Sequence, residues 1–160
     1  MRVSTIFAIM VVFGLVFLYI TMQVPSVDER PKSPFTIAST AFTHDGHIPD
    51  KYTCKGANVN PELNIKGAPY GAQSLVLIVT DPYVSRDGVI HWVLFNIDPG
   101  TTTIAENSVP NGTTGIKATQ GLNDFNTNKY EGPCPSDNTT HDYVFKLYAL
   151  GGWSKLKDDA

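Results

Sequence analysis

Short apolar and β-branched runs alternate with loops rich in Gly, Pro and Asn along the chain after residue 34. The two longest runs are residues 74–81 (SLVLIVTD) and 89–98 (VIHWVLFNID), and each is followed by a proline. Such runs predict β-strands, because β-branched and aromatic residues favour strands and proline interrupts them. Residues 35–43 and 141–150 predict two further strands.

The segments between these strands predict loops. Residues 44–63 are punctuated by Gly and Pro, and residues 99–140 form a long loop with room for one short strand. No stretch after residue 34 repeats apolar residues with the 3.6-residue period of an amphipathic helix. Several strands with long connections and no helix are typical of an all-β sandwich or barrel, which is the fold class that we predict.

The three longest predicted strands each carry polar groups at one end of an apolar face, because successive side chains of a strand point to opposite sides. These polar residues are Asp81, His91, His141 and Tyr143. The predicted face of the second strand consists of His91, Val93, Phe95 and Ile97. If the first two strands pair antiparallel and the third runs parallel to the second, all four polar side chains meet at one edge of the core.

Such a set of side chains suits an anion. Two imidazoles and a phenol offer N–H and O–H donors, and a nearby carboxylate favours the protonated form of an imidazole. Phosphate, sulfate and carboxylate groups are the expected ligands. We expect the turn at Gly132 and Pro133 to bring backbone close to the ligand, since glycine has no Cβ. The alternative is that polar residues simply mark the exposed ends of strands.

Residues 1–25 form a separate apolar segment, in which Arg2 is the only charged residue. A membrane anchor needs about 20 apolar residues, and no small-residue cleavage site follows the run, so we expect a signal-anchor helix. A cleaved signal peptide is the alternative. The positive N-terminal flank predicts a domain outside the cytoplasm, anchored or secreted. Residues 26–34 (SVDERPKSP) predict a linker, which leaves residues 35–160 as one domain.

The net charge of the chain and the turn location of its closely spaced histidines argue against nucleic acid and metal ions as partners. The chain has 160 residues with 12 basic and 15 acidic side chains, a net charge of −3, and no basic block, which argues against nucleic acid. His44 and His47 have the spacing of a metal-binding pair, but such a pair in a turn is usually solvated. We therefore expect no metal site and no cofactor.

Several motifs occur along the predicted domain, in the order IPDKYTCKGANVNPEL, SLVLIVTDP, DPYVSRDGVIHWVLFNI, GLNDF and YEGPCPSDNTTHDYVFKLYAL. The third motif resembles the DPDAP…HW segment of the phosphatidylethanolamine-binding protein family (Raf kinase inhibitor-like proteins), and the last resembles its G-x-P…H-x-Y-x-F segment. The others are similar to the bacterial and archaeal YbhB/YbcL-like branch. The resemblance runs from Phe35 to Leu150. It implies an antiparallel Greek-key β-sandwich with a small anion pocket at one edge.

The resemblance also implies which residues bind the ligand. The matching positions are Asp81, His91, Gly132, Pro133, His141 and Tyr143. Tyr83 and Ser85 replace the second Asp and the last Pro of DPDAP, and Asn126 replaces a usual Gly, so we expect a different pocket rim. Family members normally continue into a C-terminal helix beside the pocket. We expect this helix to be missing here and the domain to be truncated after GGWSKLKDDA.

Cys54 and Cys134 flank two of the motifs. In an oxidising compartment they are candidates for a disulfide, which would close a loop of about 80 residues and stabilise the fold by about 4–5 kcal/mol. Two unlinked, partly buried thiols are the alternative.

These observations favour a non-enzymatic binding module for a small anion or a phospholipid headgroup. We expect no enzyme, because no nucleophile is clearly placed beside Asp81 and His91 and no G-x-S-x-G or H-E-x-x-H motif is present. The alternative is a protein regulator, which the resemblance also allows. An outward-facing domain would suit a serine protease inhibitor better than a kinase inhibitor, and an exposed loop within residues 99–120 would carry the inhibition.

Overall fold

The computed structural model describes residues 33–86, 88–108, 116–137 and 139–156. They form seven β-strands and one 3-10 turn at Asp50–Tyr52. The strands are β1 (Thr36–Ser39), β2 (Leu63–Lys66), β3 (Ser74–Asp81), β4 (Val89–Ile97), β5 (Thr103–Ile104), β6 (Thr119–Gln120) and β7 (Val144–Leu150). β3 and β4 match the two strongest predicted strands to within a residue. β1 and β7 are shorter than predicted, whereas β5 and β6 lie in the predicted loop 99–140. β2 begins at the end of the predicted loop 44–63 and continues into residues for which no element was predicted.

The strands form two antiparallel sheets. The first has three strands in the order β1-β2-β5, and the second has four in the order β6-β4-β3-β7. β3 pairs antiparallel with both β4 and β7, so β4 and β7 run in the same direction, as the site prediction required. The all-β, antiparallel fold class is confirmed, while the Greek-key connection stays a prediction.

One apolar core lies between the sheets. The three-stranded sheet contributes Leu63, Ile65 and Ile104, and the four-stranded sheet contributes Leu75, Leu77, Val79, Trp92, Leu94 and Ile97. Full burial of such a side chain stabilises the folded state by about 1.5–3 kcal/mol, so this cluster is the main source of stability. The predicted inward face of β3 is therefore confirmed.

The alternation predicted for β4 is confirmed at Ile97 but is wrong at Trp92 and Leu94. Trp92 and Leu94 belong to the core cluster, where the sequence predicted Val93 and Phe95. The pairing of β4 with β3 shifts at two points along the strand. A β-bulge places an extra residue in one strand and so exchanges the faces on which later side chains point.

His91 lies at the first of these shifts. Val79 pairs with Trp92, and its neighbour Thr80 pairs with Ile90, so a single step along β3 spans two residues of β4. Bulges re-aim side chains at the edges of binding sites. The bulge, not regular alternation, accounts for the position of His91.

The second shift lies near Asn96, whose φ of 54° is in the left-handed region. Asparagine tolerates this region better than most residues, because its short side chain bonds locally to backbone. Here the side chain accepts a hydrogen bond from the backbone N–H of Ser154 at 2.7 Å and donates one to the Ser154 carbonyl at 3.0 Å. The segment after β7 is thereby fixed to β4.

Several predictions concern the N-terminal segment. The signal anchor or signal peptide of residues 1–25 and most of the linker at 26–34 lie outside the described residues. Within the part of the chain that is described, no helix is long and apolar enough to cross a membrane.

Candidate functional site

A pocket of about 390 Å³ opens at the edge of the four-stranded sheet where β3 ends and β4 begins. The residues that line it are Asp81, Tyr83, Val84, Val89, His91, Phe125, Cys134, Pro135, Ser136, Asp137, His141 and Tyr143. Four of the six predicted site residues are among them. The pairing of β3 with β4 and β7 therefore brings together the carboxylate, the two imidazoles and the phenol.

Asp81 is the buried anion of this pocket, and its side chain is 2% exposed. One carboxylate oxygen, Oδ2, lies 2.6 Å from His141 Nδ1, and the other accepts the Tyr83 backbone N–H at 2.9 Å. Burial alone would raise the pKa of the Asp81 carboxyl, but the hydrogen bonds from His141 and Tyr83 outweigh it and hold the pKa below its usual value. Asp81 is therefore ionised at neutral pH.

His141 lies between two carboxylates, with a side chain that is 7% exposed. Its Nδ1 contacts Asp81, and its Nε2 lies 3.2 Å from Oδ2 of Asp137. Carboxylates accept hydrogen bonds, so this arrangement favours the imidazolium, in which both ring nitrogens carry a proton. The hydrogen bonds to Asp81 and then to Asp137 raise the pKa of His141 accordingly.

The ring of His91 is hydrogen-bonded to a backbone carbonyl and not to a carboxylate. Its Nδ1 lies 2.8 Å from the Glu131 carbonyl, and the Glu131 N–H donates back to the His91 carbonyl at 3.1 Å. A carbonyl only accepts, so Nδ1 carries a proton in every charge state of the ring. Nε2 is then an acceptor in the neutral ring and a donor in the imidazolium.

Tyr143 packs beside His91 with an interplanar angle of 86° and a centroid distance of 5.1 Å. Burial, together with the negative charge of Asp81, raises the pKa of Tyr143 to about 12. The phenol therefore keeps its proton at neutral pH and remains a hydrogen-bond donor.

Two further aromatic side chains form walls of the pocket. Tyr83 stacks on His141 at a centroid distance of 5.4 Å, and its hydroxyl donates to Asp142 at 2.9 Å. Phe125 meets His91 edge-on at 5.0 Å. Both aromatic side chains are largely exposed otherwise, so they define the mouth of the pocket.

Gly132 and Pro133 do not line the pocket as the sequence predicted; Cys134 and Pro135 of the same turn do. A Cβ on Gly132 would lie 2.1 Å from the Tyr52 carbonyl oxygen. The glycine therefore permits close packing of two loops. The Gly132 N–H donates to Asn58 Oδ1 at 2.7 Å, and the Pro133 carbonyl accepts from Cys54 N–H at 3.1 Å.

A disulfide joins Cys54 and Cys134 beside this loop contact. Their sequence separation is 80 residues. Because Cys134 lines the pocket, the bond ties one wall of the site to the loop after the 3-10 turn. Of the two states that the sequence left open, the structure has the linked one.

Comparisons with known proteins agree with this fold. The family model for phosphatidylethanolamine-binding proteins matches residues 38–160. This chain belongs to the phosphatidylethanolamine-binding protein family. It is 44% identical over 110 residues to a UPF0098 protein of Methanothermobacter thermautotrophicus, covering 69% of this chain and 72% of that protein. A UPF0098 protein of Chlamydia pneumoniae is 44% identical over 119 residues, covering 71% of this chain and 75% of that protein.

Two solved structures of phosphatidylethanolamine-binding protein relatives resemble the fold. Escherichia coli YbcL, described as a member of the mammalian family, aligns with a TM-score of 0.73 and 28% identity over 79% of this chain and 83% of YbcL. A homolog from Chlamydia trachomatis aligns with a TM-score of 0.70 and 34% identity over 79% of this chain and 81% of the homolog. These two structures support the interpretation that this chain is a family member of the bacterial and archaeal type.

Sequence reasoning missed Phe125 and Asp137 as pocket residues and treated Tyr83 only as a difference at the rim. Phe125 offered a signal, since it is an aromatic residue in an otherwise polar loop. Asp137 offered none, because an Asp in a Pro- and Ser-containing turn is ordinary. Within the described ranges, no group of three or more His, Cys, Asp or Glu side chains is arranged to hold a metal ion.

Proposed function

We propose that this phosphatidylethanolamine-binding protein relative is a non-enzymatic module that binds a small anion or a phosphorylated headgroup in the pocket around His141. The observation that carries the proposal is the short contact between His141 Nδ1 and Asp81 Oδ2, 2.6 Å. It supports an imidazolium, flanked by the carboxylates of Asp81 and Asp137, in a pocket with aromatic walls. Sites of this kind bind small molecules through a few polar groups placed among apolar surfaces.

Three donors would face such an anion. His141 would offer Nε2–H in place of its contact with Asp137, and Tyr143 would offer the hydroxyl that now bonds to Asp81. The protonated form of His91 would offer Nε2–H. Because the Glu131 carbonyl already takes the Nδ1 proton of His91, Nε2 is the nitrogen of that ring that would contact the anion.

The non-enzymatic part of the proposal is supported by the hydrogen bonds of His141. Both of its ring nitrogens face carboxylates, so the imidazolium lacks the lone pair that a general base needs. Ser136 lines the pocket, yet none of the hydrogen bonds described for the two imidazoles involves its hydroxyl. Activation of a serine by a neighbouring base depends on a contact of this kind.

The location of the module is part of the same proposal. Residues 1–25 would hold the domain at a membrane on its outer side, or would be cleaved to release it. The protein-regulator hypothesis relies on residues 99–120, of which 109–115 lie outside the described residues, and it stays a prediction.

The test is a titration of the purified full chain with inorganic phosphate and, in parallel, with sn-glycerol 3-phosphate. Histidine side-chain nitrogen signals are followed by NMR, and affinities by calorimetry. We expect shifts of His91 and His141 that saturate, and weaker binding in His91→Gln. His44→Gln is the matched control, because the His44 side chain is 98% exposed and outside the pocket.

Binding of both compounds would indicate recognition of the phosphate group, and tighter binding of glycerol 3-phosphate would favour a lipid headgroup. Absence of binding to the wild-type chain, or equal binding in His91→Gln and wild type, would refute the proposal.

A further inference from the structure

Asp137 places a carboxylate oxygen where an anionic ligand would have to bind. Its Oδ2 lies 3.2 Å from His141 Nε2, the nitrogen of that ring not already engaged by Asp81. Asp137 also lines the pocket. The Nε2 proton of His141 is thus already shared with the carboxylate of Asp137.

The Asp137 carboxylate is held in place by its own loop. Oδ1 accepts the Thr139 backbone N–H at 3.1 Å and the Thr139 hydroxyl at 2.9 Å. These bonds, followed by the contact with His141, lower the pKa of Asp137 to about 2, so the carboxylate is ionised at any physiological pH. A short Asx-type turn of this kind orients the side chain without burying it.

The contact with His141 is at the same time easy to exchange. The Asp137 side chain is 54% exposed, so it can move into solvent at little desolvation cost. Because the Asp137 carboxylate is reached by water, its attraction to His141 is partly screened, and a stronger acceptor can replace it. By contrast, Asp81 on the other side of the ring is buried and fixed.

We propose that Asp137 is an internal competitor of the ligand: its carboxylate occupies the anion position on His141 and must be displaced when phosphate or a related anion binds. The inference rests on the function proposed above and adds a residue that sets its affinity. The competition by Asp137 makes the pocket selective. A ligand must bind Nε2–H of His141 more strongly than the carboxylate does, and it must bind although the displaced carboxylate stays nearby.

Asp142 provides the matched comparison. It follows His141 in sequence, carries the same charge and is bound to the Tyr83 hydroxyl, but it does not line the pocket. A general electrostatic effect of nearby acids would appear in both variants, whereas competition for Nε2 would appear only at Asp137. Asparagine at either position keeps an oxygen acceptor for its present donor, so each loop retains its hydrogen bonds.

The experiment compares inorganic phosphate binding to the full chain in wild type, Asp137→Asn and Asp142→Asn by calorimetry at one pH and ionic strength. We expect Asp137→Asn to bind phosphate about three- to tenfold more tightly and Asp142→Asn to remain within about twofold of wild type. NMR should also show phosphate shifting the Asp137 side-chain carboxyl carbon in wild type.

The possible results separate the inference from the function on which it rests. If wild type binds phosphate and Asp137→Asn binds it no more tightly, Asp137 is not a competitor, although the anion site stands. If Asp142→Asn gains as much as Asp137→Asn, the effect is one of overall charge and the inference fails. If none of the three chains binds phosphate, the proposed function fails and the inference with it.

Discussion

Nδ1 of His141 lies 2.6 Å from Oδ2 of Asp81, although 60 residues separate the two in the chain. β7 pairs with β3 so that Thr80 is opposite Val144, and this register brings the residues before β7 next to the end of β3. The hydrogen bond is therefore a direct consequence of strand pairing. It also fixes the charge state of both partners, on which the next two predictions depend.

The stability of the domain should depend on pH on both sides of neutrality. The pKa of His141 is raised above its ordinary value of 6.5, so its contribution is fully present below 6.5 and is lost as the pH rises through the raised pKa. The pKa of Asp81 is lowered below 3.8, so its contribution is present above 3.8 and is lost as the pH falls through the lowered pKa. Urea unfolding at a series of pH values measures both limbs. In His141→Gln, the free energy of unfolding should fall less as the pH rises above neutrality. If it falls equally in wild type and variant, His141 is not the group responsible.

Asp81→Asn should destabilise the fold and favour the neutral form of the His141 ring. The amide cannot stabilise the imidazolium, so the pKa of His141 should fall, and loss of a buried charged hydrogen bond should cost about 1–3 kcal/mol. NMR titration of the ring gives the first quantity and urea unfolding the second. Asp142→Asn is the control, with an expected change within about 0.5 kcal/mol because Asp142 is an exposed residue. An unchanged His141 pKa in Asp81→Asn would disprove the coupling.

Gly132→Ala should destabilise the protein, because the new methyl group would lie 2.1 Å from the Tyr52 carbonyl oxygen and the backbone of one loop would have to move. Overpacking of this kind costs about 1–3 kcal/mol. Gly151→Ala is the control, since a Cβ there meets nothing within 4 Å. Thermal unfolding of the two variants measures the difference. Equal melting temperatures would show that the contact at Gly132 is not tight.

Replacement of Cys54 and Cys134 by Ser should lower stability by about 4–5 kcal/mol in the chain-entropy description, since the bond closes a loop with a separation of 80 residues. Reductant should lower the melting temperature of the wild type and leave that of the double variant unchanged. If reductant has no effect on the wild type, the thiols are not linked in solution.

Much of the fold could be predicted from sequence, because β3 and β7 follow regular alternation. Leu75, Leu77 and Val79 point inward as the period of two requires, and this period also placed Asp81 at the end of the inner face. The short strands β2, β5 and β6 escaped prediction, since two to four residues are too few to show a period. Their pairing depends on partners elsewhere in the chain.

The candidate site was predicted only in part, and His91 shows why. Its presence in the pocket was expected from a regular β4, but the strand is irregular at this residue and the core face carries Trp92 and Leu94 instead. Asn96, a residue that tolerates positive φ, was the one local signal of irregularity in that strand. The ion pair of Asp137 with His141 depends on a turn conformation that composition does not specify.

The central position of β3 has a consequence for the order of folding during synthesis. Its partner β4 follows after a short loop, so this hairpin can form as soon as both strands have been made, since local pairing involves little loop-closure entropy. The opposite edge of β3 has no partner until β7 has been synthesised. An unpaired edge of this kind can associate with other unfinished chains. A chain that ends before the segment around Tyr148 would therefore leave this edge of β3 without its partner strand.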